Sequence, residues 1–360
     1  MKTRNIIFPV LVLSAALSCN RAEISSDSPI MIGVGVSQLS TKAGSPALGS
    51  TEDNLSSDTS LNLYSTRNGS ALHSGAALSR QASTGLWYPS SGTTTWASGS
   101  SYTFYCTAQR PASPSGSSLT MSSPTSITIE QPSAYEYGSE SSQMIDYMLS
   151  YVFNVADGAT YPLVQIELEH AFALVEFYVI KASNVTEAYL QSMTLNYFYN
   201  AAQMTCSTQQ NYGSDKTNVW SAIPTGEQTC KYTFSQSFDP STVTGGIPVP
   251  SEDDTVTKYD SPARMIMIAV PQMLTVDRQA TLTVEYYINE GTEDEPNYVR
   301  HNDMFILDED DRAVEWKSGH RYVYTINLNT RISLQSVVSD WVDVDYIEGT
   351  VLPDIEEDNE

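Results

Sequence analysis

Basic side chains are scarce in this chain of 360 residues: Lys and Arg together number 18 against 42 Asp and Glu, a formal net charge of −24. A surface that acidic repels phosphate, which excludes nucleic acid as an expected partner. Cysteine is rarer still. Cys19, Cys106, Cys206 and Cys230 show no C-x-x-C spacing, so neither a disulfide framework nor a zinc site is indicated. Cys206 and Cys230 could pair in an oxidising compartment, but small core residues or idle thiols is the preferred reading. No G-x-S-x-G elbow presents a nucleophilic serine. The four histidines, His73, His170, His301 and His320, stand singly and are expected to be structural. Asp308 to Asp311 offers carboxylates to calcium, yet the spacing is not that of an EF-hand loop, and a solvated acidic turn is expected. Among 42 carboxylates a pair suited to glycoside hydrolysis arises by chance and carries no signal. No catalytic residue, metal or cofactor is expected, and the chain reads as a non-enzyme.

A long apolar run is also missing. The longest stretch near the start, Ile6 to Leu17, follows Lys2 and Arg4 and has the make-up of a secretory signal. It falls short of the about 20 residues that span a bilayer, so it targets without anchoring. Ala16 and Ser18 flank Leu17 just before Cys19, which resembles a bacterial lipobox. Residues 1–18 are therefore expected to be a lipoprotein signal and Cys19 the acylated new amino terminus. Multiple acylation would supply the two signals that stable anchoring takes.

Helical periodicity is nearly absent, while 22 Tyr, 17 Pro and 19 Gly are spread along the chain. Short strands joined by turns, an all-β chain, follow from that composition. In "PIMIGVGV" Ile30, Ile32, Val34 and Val36 alternate with Met31, Gly33 and Gly35, so one face is branched and the other nearly bare. Ser37 to Ser60 reads as an exposed polar loop, with Lys42 open to a protease. Ala112 to Gly138 reads as a further loop, and "SQMIDYMLSYVF" suits helix or strand equally. The strongest strand signal is "PLVQIELEHAFALVEFYVI", Pro162 to Ile180. Asn184 and Glu187 have capping-box spacing, so a short helix or turn is expected at a seam near 185. Near the end, Val342, Val344 and Tyr346 alternate with Asp343 and Asp345.

These pieces, in this order, resemble the fimbrillins of Bacteroidota, the Mfa-like fimbrial subunits: the lipobox cysteine, the early apolar strand, "STKAG", "WYPSSG" with "YTFYCTAQRP", "LEHAFALVEFYV", and the closing "EWKSGHRYVYTINL" with "VSDW". The resemblance implies two tandem transthyretin-like β-sandwich domains, here 43–185 and 186–360, behind a 19–42 propeptide. It also implies export as a lipoprotein to the outer membrane and cell surface, cleavage after a basic residue behind the first strand, and refilling of the vacated groove by a neighbouring subunit's strand. Carried onto this sequence, Lys42 is the expected cleavage point, with Arg67 and Arg80 as alternatives because the family's best-known protease cuts after arginine. Ile30, Ile32, Val34 and Val36 mark the displaced strand, and Val342, Val344 and Tyr346 the donor. The implied partners are other fimbrial subunits, the export and acylation machinery, a processing protease and a host or bacterial surface receptor. The alternative is a glycan-binding outer-membrane lipoprotein that does not polymerise, with Trp87 and Trp96 among its stacking platforms.

Overall fold

The computed structural model describes residues 29–36, 59–90, 94–110, 118–123, 126–137, 144–150, 152–158, 163–206, 218–222, 230–252, 261–274, 279–307, 315–329 and 333–340. All regular structure among them is β. Of the short helix or turn expected near 185, the structure forms the turn, over 182–185: Val185 N–H donates to Ala182 O at 2.9 Å, and Glu187 accepts from the Tyr298 hydroxyl. "SQMIDYMLSYVF" resolves as strand, with Asp146–Ser150 and Phe153–Val155 paired in a sheet.

An eight-stranded sheet is built from Phe153–Val155, Tyr102–Arg110, Ser60–Arg67, Ser70–Arg80, Trp87–Pro89, Met31–Val36, Leu163–His170 and Asp146–Ser150, in that spatial order. Tyr102–Arg110 pairs with Asp146–Ser150 as well, which rolls the sheet into a closed ring. Closure removes the free edges that an open sheet must otherwise protect. Ile30, Ile32, Val34, Leu61, Leu63, Trp96, Phe104, Val164, Ile166 and Leu168 are buried together inside it. Alternation explains this packing, because residues two apart on a strand share one face.

A second core lies between two other sheets. One has the order Arg264–Ala269, Ala173–Lys181, His320–Leu328, Ser333–Asp340; the other runs from Tyr298–Ile306 through Thr281–Asn289, Ala188–Asn196 and Lys231–Ser235 to Ala134–Glu136. Val175, Phe177 and Val179 of the first pack with Leu195, Leu282 and Val284 of the second. Ala173–Lys181 stands before the expected seam at 185, yet its strand partners are 264–269 and 320–328.

Ala112 to Gly138 is not the loop expected of it. Ser118–Ser123 and Ser126–Glu130 pair with each other and join Ala201–Cys206 and Asn218–Ala222 in a further sheet. Ile127 and Ile129 are fully buried there against Tyr147, Phe172 and Val270. Ser and Thr around two isoleucines read as loop chemistry, but Thr favours a half-buried pleat. Buried amides stitch this region: the Gln131 side chain donates to Ile145 O at 2.6 Å, and Gln272 accepts from Tyr199 N–H at 2.8 Å.

Candidate functional site

The slot holding Met31–Val36 is the feature on which an exchange function depends. The strand runs parallel to Leu163–His170 in continuous register from Met31 opposite Leu163 to Val36 opposite Leu168. Among the described residues its other seam is slight, a single pairing of Ile32 with Trp87 and a bridge from Pro29 to Thr95. Ile30, Ile32 and Val34 point into the ring and are buried, as their alternation predicts. Val36 occupies the last position of the strand. The strand is therefore bonded by the length of its backbone on one side and fastened at points on the other.

A small polar anchor holds its beginning. Ile30 N–H donates to Thr94 O at 2.8 Å, and the Thr94 hydroxyl lies 3.0 Å from His73 Nε2. Ser65 Oγ is 2.7 Å from His73 Nδ1, so the ring bridges two strands to the segment that receives Ile30. Burial lowers the His73 pKa from 6.5. The unfolded chain then takes up the proton more readily than the folded one, so stability is complete above the unfolded value and declines as pH falls through and below it. His73→Gln is expected to flatten the fall in Tm between about pH 7 and pH 5, checked by thermal melts across that range.

The remaining histidines also have structural surroundings. His170 Nδ1 lies 3.0 and 2.9 Å from the two carboxylate oxygens of buried Asp146, which Arg110 also meets at 3.2 Å. His301 stacks on Tyr286 and lies 3.4 Å from Glu290, and His320 Nδ1 is 2.9 Å from Ser318 O. Among the described residues no group of three His, Cys, Asp or Glu could hold a metal; Asp308 to Asp311 lies outside them. Cys106 and Cys230 are buried free thiols; the Cys206 side chain lies outside the described ones. Desolvation pushes the Cys106 thiol up to about 12 and Cys230 to about 11, so both are inert at neutral pH.

Trp96 is 1% exposed and packs edge-on against Tyr102, 5.0 Å between ring centroids. It is a core residue and cannot serve as the sugar platform of the glycan-binding alternative. Trp316 is equally buried, with Nε1 donating to the Tyr324 hydroxyl at 3.1 Å. Trp87 is half-buried against the ring core.

Of the processing candidates, Arg67 ends a strand at the turn containing Asn68 (φ 51°) and Gly69 (φ 76°). Its Nε donates to Ser100 Oγ at 3.2 Å, and Asn68 N–H donates to Ser101 O at 2.8 Å. Arg80 ends the next strand, exposed, with Nε donating to Gly85 O at 3.4 Å. Cys19, Lys42, Val342, Val344 and Tyr346 lie outside the described residues. The slot itself needed tertiary information: parallel pairing across about 130 positions leaves no local mark in the sequence.

Comparison with known proteins converges on one group. A fimbrial protein of Bacteroides vulgatus is similar in fold, with a TM-score of 0.55 and 12% identity over 87% of this chain and 99% of that one. A candidate cell adhesion protein of Bacteroides uniformis is similar at a TM-score of 0.50 and 13% identity, covering 88% of this chain and all of the other. No curated relative matches significantly. The profile of one family, described as Fimbrillin-like, matches residues 50–341, starting after the slot strand and ending at Trp341. With most of its length matched, the chain belongs to the Fimbrillin-like family.

Proposed function

We propose that the protein is a non-enzymatic subunit of a surface fimbria, polymerised when the Met31–Val36 strand is released by proteolysis and replaced by a strand from a neighbouring subunit. The observation carrying this reading is the placement of that strand: an early segment completes a closed ring, buries three branched side chains and, among the described residues, is tied on one seam only by the Ile32–Trp87 pairing, the Pro29–Thr95 bridge and the Ile30 N–H to Thr94 O bond. Removing it would leave a slot lined by unpaired backbone and apolar side chains, the template for strand addition. While covalently joined the strand benefits from a high effective concentration, which a cut behind it removes.

Where the cut falls follows from what each bond would release. Cleavage after Arg67 or Arg80 would carry away Ser60–Arg67, which pairs on both sides and buries Leu61 and Leu63. Cleavage after Lys42 would release the slot strand and leave those strands in place, which favours Lys42. The donor is assigned to Trp341 to Leu352, through Val342, Val344 and Tyr346, which continues from Ser333–Asp340 at a sheet edge. The division into two units, 43–185 and 186–360, stands as a proposal: strand pairing passes from the ring to the second core between His170 and Ala173, while Ala134–Glu136 already pairs with Lys231–Ser235 of the second core. Before assembly the chain is held at the outer membrane by acylated Cys19, after passage through the export and acylation machinery. Its partners are other fimbrial subunits, a processing protease and the surface receptor that an adhesive fimbria would touch.

The amino terminus of protein sheared from native cells tests the reading. Mass spectrometry is expected to find Ala43; an acylated Cys19 on polymerised material would overturn it. Truncation after Trp341 is expected to leave a folded monomer that accepts a strand but cannot extend a polymer, and undiminished polymerisation would refute the donor assignment.

A further inference from the structure

The slot strand is well made on one face and poorly made on the other. Inward, Ile30, Ile32 and Val34 are buried; outward, Gly33 pairs opposite Gln165 and Gly35 opposite Glu167. Glycine is normally retained in a strand for a left-handed backbone or a close approach. Neither applies at position 33. Gly33 is absent from the residues with positive φ, and the nearest atoms to a β-carbon built there would be Val164 O at 3.9 Å and Leu163 Cδ2 at 4.0 Å, ordinary contact distances. Glycine here gives up strand propensity and a cross-strand side-chain pair that the space would permit.

We infer that Gly33 is a weakening position that makes the resident strand displaceable by one from a second copy of this chain. The inference rests on the strand-replacement reading above. In "VDVDY", Val342, Val344 and Tyr346 repeat the spacing of Ile30, Ile32 and Val34. Aligned that way, Asp345 would take the place of Gly33, at the register position opposite Gln165, whose amide is a donor that glycine cannot use. The resident and the incoming strand thus fill the same three inward positions; in the outward row Asp343 would replace Met31 opposite Leu163, and the Gly33 position is where the resident strand makes no cross-strand side-chain pair. The slight seam at Trp87 gives the incoming strand a side from which to enter.

The test uses the full chain carrying a specific protease site at residues 40–43, nicked there and challenged with a synthetic peptide of residues 341–352, the released strand being followed by mass spectrometry. Gly33→Val is expected to slow displacement about five- to tenfold, from the strand propensity and cross-strand pair it restores, and to raise the Tm of the uncut chain. Gly33→Thr should act in the same direction. Equal release rates for the parent and both variants, or uncut variants that melt below the parent, would overturn the inference and leave strand replacement standing. Retention of the first strand by the nicked parent would overturn both.

Discussion

A chain lacking residues 29–36 is expected to lose its folded monomer. Ile30, Ile32 and Val34 are 3%, 0% and 5% exposed, and burying each such side chain is worth roughly 1.5–3 kcal/mol, so about 5–9 kcal/mol leaves with the strand. Domains of ordinary size have about 5–15 kcal/mol in total. The deletion also opens the ring, exposing the long seam of Leu163–His170 and the short one at Trp87. Size-exclusion chromatography is expected to show oligomers or aggregate in place of monomer. A synthetic peptide of residues 28–37 is expected to restore both the monomer and a cooperative melt. A deleted chain that stays monomeric with the parent's Tm would mean that the slot is not a core element, and the proposed route to polymerisation would fail with it.

The second large effect concerns a buried charge. Glu176 points away from the Val175, Phe177 and Val179 face, yet it is 4% exposed. Arg321 grips it with two hydrogen bonds, Nε to Oε1 at 3.0 Å and Nη2 to Oε2 at 2.8 Å, and the Tyr178 hydroxyl donates to the same carboxylate. Burial first, and then the neighbouring carboxylate, hold the Tyr178 phenol protonated well above its usual range. Such a pair adds little net stability against an apolar replacement, but removing one partner strands the other charge. Arg321→Met is therefore expected to destabilise the fold by about 3–5 kcal/mol in urea titration. Glu176→Leu, Tyr178→Phe and Arg321→Met combined should recover most of the loss. A single Arg321→Met change within about 1 kcal/mol of the parent would show that Glu176 is solvated in the folded chain.

The slot strand and this ion pair differ in how far the sequence exposes them. The alternation of Ile30, Ile32 and Val34 is visible in a string of eight letters, because a strand has a period of two. Glu176 is visible only as a charge opposite an apolar face, which predicts solvent. Arg321 reaches it from 145 positions away through the parallel pairing of their strands, and no local pattern encodes that partner. Ile127 and Ile129 failed for a related reason: their strand is short and surrounded by serine and threonine, and its burial depends on Ala201–Cys206 and the cluster around Phe172. Trp96 was ambiguous for a different reason. Aromatic content suits a sugar platform and a core alike, and only its packing with Tyr102 and Phe104 decides between them.

The sequence by itself determined the all-β class, the branched face of the first strand and the absence of any motif for catalysis, since each rests on composition or on spacing within a few residues. Its ordered motifs also carried the family resemblance. The tertiary structure alone decided that the first strand closes a ring, that it lies parallel to Leu163–His170 with, among the described residues, a slight second seam at Trp87 and Thr95, and that Ala173–Lys181 belongs to the second core. Those are statements about which distant segments pair. Pairing across more than a hundred residues is set by the burial of both faces at once, a condition that no short window of sequence contains.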